Sequence, residues 1–144
     1  MEIVQAYPYL MERAMRRMRQ ATHQAFAEAG LDITAEQWVV LYIIHDGNGL
    51  SQVEITELAF KDAPTVTRII DNLVKKGWVF RQMGTEDRRK FELYMTKEGR
   101  EVVEKLLPIV MALRQQGIND LSASDLRILK KVLNRIYTNF DTGE

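Results

Sequence analysis

The chain has 144 residues, with 20 Lys and Arg against 20 Asp and Glu, two His and no Cys. That length suits one domain with a real core, and the absence of thiols excludes disulfides, thiolate zinc sites and cysteine redox sensing. No apolar run approaches a bilayer span and the N-terminus lacks the charged-then-apolar order of a signal peptide, so the expectation is a cytoplasmic protein without membrane contact.

Neutrality hides an asymmetry. Residues 61–90 hold eight basic against four acidic residues, or +4, and the remainder twelve against sixteen, or −4. Positive potential is thereby concentrated in one stretch.

From residue 7 to 26, Tyr7, Leu10, Met11, Ala14, Met15, Met18, Ala21 and Ala25 recur at helical spacing, and Gly30 follows as a C-terminal cap. Thr34-Ala35-Glu36-Gln37 is a capping box that opens a second helix carrying Trp38, Leu41, Tyr42 and Ile44, and Gly47-Asn48-Gly49 breaks it. Ser51-Gln52-Val53-Glu54 is a second capping box and opens a short third helix. Asp62 reads as the N-cap of a fourth helix, with Pro64 tolerated in the first turn, Lys75 and Lys76 at the C-terminal dipole end and Gly77 as the stop.

Residues 78–83 read as a strand, residues 84–87 as a turn, and residues 91–95 as a second strand with Phe91, Leu93 and Met95 on a buried face. Thr96 caps a fifth helix in which Pro108 should produce a kink, since an interior proline costs on the order of 3 kcal/mol. Ser122 opens the last helix, whose stripe is Leu126, Leu129, Leu133, Ile136 and Tyr137.

The fourth helix carries the most information. At ~100° per residue, Val66, Ile69, Ile70, Leu73 and Val74 share one arc and Lys61, Thr65, Arg68, Asn72 and Lys75 the opposite one. The first set can be buried while the second suits reading base edges and gripping phosphates. Two helices joined by a short turn, followed by a hairpin whose tip is Asp87-Arg88-Arg89-Lys90, make a winged helix-turn-helix. The fold class is therefore mainly α with a small β-wing. Three long amphipathic helices outside the winged lobe present more apolar surface than that lobe covers, so self-association is the natural outlet.

In this order of parts the chain resembles the MarR family of bacterial transcriptional regulators over nearly its whole length. The most specific motif is the wing's Asp-x-Arg followed by a hydrophobic-Thr pair, here Asp87-Arg88-Arg89 and Met95-Thr96, with Met95 in place of the commoner leucine. Thr34-x-x-Gln37-Trp38-x-x-Leu41, Leu58-Ala59 and the run from Thr65 to Leu73 into Lys75-Lys76-Gly77 support it. The resemblance implies one domain over residues 1–144, with the winged lobe at about 34–96 and dimerisation helices at about 1–30 and 97–140. It also implies a homodimer on double-stranded DNA, reading a pseudo-palindromic operator with half-sites ~10 bp apart. The expected outcome is repression, relieved by a small aromatic or lipophilic ligand.

Within that frame Arg68 is the candidate for a bidentate contact to guanine, with Pro64, Thr65, Thr67, Asn72 and Lys75 on or beside its face. In the wing, Arg89 is expected in the minor groove, Asp87 is expected to pair with a nearby arginine, and Arg88 and Lys90 to touch phosphate. Ser51 and Gln52 are candidates for backbone contacts, with capping alone as the other role for Ser51. Met11, Met15, Trp38 and Tyr42 either line a ligand crevice or complete a packed core. Arg13, Arg16, Arg17 and Arg19 read as a solvated face rather than a second nucleic-acid surface, and His23 and His45 as surface histidines. No nucleophile–base pair, metal cluster or phosphate loop is visible, so neither an enzyme nor a cofactor is expected. The competing class is a winged-helix module whose basic face meets an acidic protein.

Overall fold

The periodicities resolve, in a computed structural model that describes residues 1–143, into six α-helices and one β-hairpin. These are α1 (Tyr7–Glu28), α2 (Ala35–Gly47), α3 (Gln52–Ala59), α4 (Ala63–Lys75), β1 (Val79–Met83), β2 (Phe91–Met95), α5 (Lys97–Gly117) and α6 (Ala123–Phe140). By its internal contacts the chain divides into two units, residues 1–111 and a second beginning at residue 112.

The helix starts follow from local hydrogen bonding. At the head of α2, Thr34 Oγ1 accepts from Gln37 N (3.1 Å) while Gln37 Oε1 accepts from Thr34 N (3.0 Å). Ser51 with Glu54, and Ser122 with Asp125, close the same reciprocal box on α3 and α6. Each box satisfies two amides that the helix itself leaves unpaired. The turn after α2 needs a left-handed backbone, with φ of 42° at Asn48 and 108° at Gly49. Gly49 also lies where a Cβ would come within 3.0 Å of the Tyr94 hydroxyl.

Asp62 Oδ1 accepts from Thr65 N at 2.7 Å and caps α4. Hydrogen bonds from the Thr65 hydroxyl and amide, with the Arg68 and Lys61 charges behind them, hold this carboxyl below the usual range. A carboxyl lowered on folding stabilises the native state above its unfolded pKa, and that contribution disappears as pH falls through the folded value. Asn caps as well as Asp but does not titrate. On acidification from about pH 5 to about pH 2, the melting temperature of Asp62→Asn is therefore expected to fall less steeply than that of wild type. Parallel melting curves, followed by circular dichroism, would show that the cap is indifferent to its charge.

In the first unit, Phe26, Leu41, Ile44, Ile55, Ile70, Leu73, Leu93 and Leu106 are fully buried, drawn from α1 to α5 and the hairpin. Each such side chain contributes roughly 1.5–3 kcal/mol of burial. The inner face of α4 is the one its periodicity gives: Val66, Ile69, Ile70 and Leu73 are buried and Val74 packs against the cluster. The outer arc is thereby turned away from the core.

The hairpin is antiparallel, with Val79 opposite Met95, Arg81 opposite Leu93 and Met83 opposite Phe91. Two details differ from the sequence expectation. Phe91 is 48% exposed rather than buried, because the end of the hairpin where it faces Met83 (52% exposed) extends beyond the core. The strand opens at Val79, one residue later than expected. A further edge joins the sheet: Leu93 N donates to Leu50 O (2.9 Å), Gly49 N donates to Leu93 O (3.1 Å), and Ser51 bridges Glu92. The turn that starts the helix-turn-helix is thus tied to the wing.

α5 remains helical on both sides of Pro108. In the second unit, residues 118–122 connect the end of α5 to α6, and Asp120 takes a left-handed φ of 65°. Ile128, Leu129, Val132, Leu133 and Phe140 of α6 are exposed in the single chain. Tyr7, Leu10, Met11, Met15 and Met18 of α1 are exposed as well. No helix among the described residues is long and apolar enough to cross a membrane.

Candidate nucleic-acid interface

The polar arc of α4 is built from both ends. Pro64 in the first turn and the Asp62 cap fix where the helix starts, and the buried Val66, Ile69, Ile70 and Leu73 fix how it is rotated. Pro64, Arg68 and Lys75 are exposed, and Thr65, Thr67 and Asn72 lie half-buried beside them on the same side of the helix. Arg68 makes one long hydrogen bond among the described residues, from Nη2 to Thr65 Oγ1 at 3.4 Å. Its guanidinium is therefore available, with most of its five donors unused.

Three side-chain links hold this helix against its neighbours. Gln52 Nε2 donates to Thr67 Oγ1 (2.6 Å), which itself donates to Ala63 O (2.9 Å). Gln37 Nε2 donates to Asn72 Oδ1 (3.2 Å). Arg81 on β1 forms an ion pair with Asp71. Thr67 and Gln52, both candidates for DNA contact from their positions, thus bond to each other. Of the C-terminal lysines, Lys76 bonds to Asp32 O and lies over the Trp78 ring at 4.8 Å, whereas Lys75 has no such tie among the described residues.

The wing tip is held by short-range polar contacts. Asp87 Oδ1 accepts from Arg89 N (3.0 Å) and Nε (3.1 Å), and Oδ2 accepts from Nη2 (3.3 Å). The Arg89 side-chain and backbone donors hold the Asp87 carboxyl below its usual range. Gly84 N donates to Lys90 O at 2.8 Å, and a Cβ on Gly84 would meet Asp87 O at 2.8 Å. The arginine that Asp87 holds is therefore Arg89 itself, the residue expected in the minor groove. With an Arg89 side chain 90% exposed, the pair is screened and readily exchanged. Arg88 and Lys90 project from the same tip and are exposed.

Ser51 serves as a cap, its hydroxyl accepting from Glu54 N at 3.2 Å. The four crevice candidates separate. Trp38 is a core residue, edge-on to Phe26 at 6.2 Å and 5.4 Å from Tyr42, which is half-buried. Met11 and Met15 are 38% and 46% exposed, so the core role does not hold for these two in the single chain. His23 lies 3.8 Å from Glu36, and His45 packs against Tyr42. Among the described residues no group of three His, Cys, Asp or Glu side chains is placed to hold a metal.

In the sequence Gln37 shows only as a capping residue within the Thr34-x-x-Gln37-Trp38 motif, and neither Arg81 nor Asp71 stands out. The Gln37 contact had a signal, because a capping box engages the amide oxygen and leaves Nε2 to find another partner. The Arg81–Asp71 pair had none, since it joins a strand to a helix across an irregular turn.

A buried-faced helix with a polar outer arc, preceded by a capped turn and followed by a hairpin with a basic tip, defines a winged helix-turn-helix protein. Residues 33–91 match the model of the MarR family. Over that stretch, which takes in the helix-turn-helix and reaches the hairpin, the chain carries a MarR-family domain. It is similar to Bordetella bronchiseptica BpsR, whose DNA binding is regulated by 6-hydroxynicotinic acid, at 25% identity over 96% of each chain with a TM-score of 0.84. It is similar also to a mutant of Escherichia coli MarR complexed with operator DNA, at 26% identity over 94% of this chain and 95% of that one, with a TM-score of 0.83. A probable transcriptional regulator from Pseudomonas aeruginosa shares the fold at 22% identity and a TM-score of 0.82, over 90% of this chain and 96% of that one.

Proposed function

We propose that this regulator is a sequence-specific repressor that binds a pseudo-palindromic operator as a homodimer and is released by a small aromatic or lipophilic ligand. The observation that carries the DNA-reading part is Arg68, on the polar arc of a helix whose other face is buried, with Arg88 and Lys90 exposed at the wing tip. In this reading α4 enters the major groove. Arg68 addresses guanine, Pro64 and Thr65 approach the groove at the helix start, and Lys75 meets phosphate. The wing follows the backbone, with Arg88 and Lys90 on phosphate and Arg89 exchanging Asp87 for the minor groove. Ser51 lies close to a phosphate through the start of α3, where the helix dipole favours an anion.

The relative complexed with operator DNA supports the target, and BpsR supports a small aromatic acid as the kind of effector. The exposed apolar residues of α1 and α6 support a second copy of the chain as their cover. An effector relieves repression only if it binds the released conformation more tightly than the DNA-bound one. Met11, Met15 and Tyr42 remain the candidates for its contacts, with Trp38 as their packed support.

Light scattering at micromolar concentration is expected to give a dimer, and binding to a duplex is expected to weaken steeply as salt rises. A monomer, or binding indifferent to salt, contradicts this reading and favours contact with a protein partner instead.

A further inference from the structure

Thr34, Gln37 and Asn72 form a chain of hydrogen bonds that runs in one sense only. A backbone N–H can only donate, so Gln37 turns its oxygen to Thr34 N, with Oε1 at 3.0 Å. The Gln37 amide nitrogen, itself only a donor, then faces Asn72 at 3.2 Å, and Asn72 must answer with Oδ1. An amide's orientation is ordinarily assigned from its surroundings. Here an obligate donor at one end of the chain fixes both amides. Asn72 Nδ2 is consequently turned away from Gln37. No buried side-chain nitrogen or oxygen among the described residues lacks a partner, so this nitrogen, which has none, reaches solvent. Asn72 lies one turn beyond Arg68 on the same arc of α4.

We propose that Gln37 is a positioning residue that fixes Asn72 as a donor-only reader of the operator, selecting at one position per half-site a base whose major-groove edge offers acceptors. The inference rests on the reading that α4 enters the major groove. Guanine presents acceptors alone there, O6 and N7, and thymine presents O4, whereas cytosine presents a donor and adenine sets a donor, N6, beside its N7 acceptor. An unconstrained asparagine pairs with adenine by placing its oxygen and nitrogen together on the base edge. Gln37 denies Asn72 that pairing, because the oxygen is drawn toward α2. A residue in the first turn of α2 therefore sets a base preference on α4 without touching DNA.

The test is selection of bound sequences from a randomised duplex library by wild type, Gln37→Glu and Asn72→Asp. Glutamate at position 37 keeps the capping box but turns a carboxylate oxygen toward Asn72, which draws Nδ2 inward and sends Oδ1 out. Aspartate at position 72 keeps the bond from Gln37 with one oxygen and presents the other outward. Both substitutions, on different helices, are expected to reverse the same single position, from guanine or thymine to adenine or cytosine. The shift should be roughly two- to tenfold, with the rest of the motif unchanged. A Gln37 that only stabilises the fold lowers the melting temperature of Gln37→Glu and leaves the motif as in wild type, which overturns the proposal. Even weakening across all sequences by both variants overturns it too, by placing Asn72 on a phosphate. If wild type selects no motif, the DNA-reading role of α4 fails first, a result distinct from a motif that does not shift.

Discussion

Gly99→Ala is expected to destabilise the protein, although helix propensity alone favours alanine by about 1 kcal/mol within a helix. Gly99 lies in the first turn of α5, where the helix crosses the start of β1. A Cβ there would come within 2.0 Å of Trp78 O and 2.8 Å of Trp78 C, both backbone atoms that cannot swing aside. The same carbonyl accepts from Thr96 N (3.0 Å), and Thr96 Oγ1 donates to Gly77 O (2.6 Å) while accepting from Gly99 N (3.0 Å). Moving α5 outward to admit a methyl group would open this joint between helix and hairpin. The steric term therefore outweighs propensity. We expect a loss of roughly 3 kcal/mol, toward the upper end for overpacking, read as a melting temperature lower by roughly 6–12 °C in a chain of this size. Gly117→Ala is the control: nothing lies within 4 Å of its Cβ position at the end of the same helix. That substitution should be neutral or stabilising by up to about 1 kcal/mol. Equal melting temperatures for the two variants would show that the close approach at Gly99 is not a constraint.

Arg68→Ala is expected to change what the protein recognises more than how tightly it binds DNA in general. A bidentate arginine–guanine pair contributes about 1–3 kcal/mol of discrimination against the wrong base. Its loss should flatten the preference at one position of each half-site while leaving non-specific affinity within a small factor. Arg68→Lys keeps the charge and loses the planar fork, so it should resemble alanine in specificity and wild type in salt dependence. Arg88→Ala is the opposite case. It should weaken binding evenly across sequences and reduce the slope of log K against log salt by about one. Competition between operator and scrambled duplexes separates these outcomes, and an unchanged operator preference in Arg68→Ala would remove that residue from base recognition.

Much of the architecture was legible because each element announces itself locally. The boxes at Thr34 and Ser51, the Asp62 cap with Pro64, and the arc of Val66, Ile69, Ile70 and Leu73 are all patterns within one or two helical turns. The pieces that escaped are those made between elements. The Leu50–Leu93 pairing that ties the turn to the wing joins residues far apart in sequence, so no periodicity reveals it. Phe91 fits a strand alternation but sits where the hairpin outruns the core, and alternation says nothing of where a core ends. Charge counting likewise grouped Lys76 and Arg81 with Arg68 and Arg88, whereas Lys76 and Arg81 are bonded within the lobe. Periodicity singled out α4 as the candidate for facing DNA, but the division of its polar face into groups held by the lobe and groups facing outward required coordinates.

The most direct test of the DNA-reading account is to recover bound fragments of the source genome with purified protein at physiological salt, beside the double variant Arg68→Ala/Arg89→Ala. Wild type is expected to enrich a pseudo-palindrome with half-sites about one helical turn apart, and the double variant is not. Enrichment of the same palindrome by both proteins, or of none by either, would contradict this expectation.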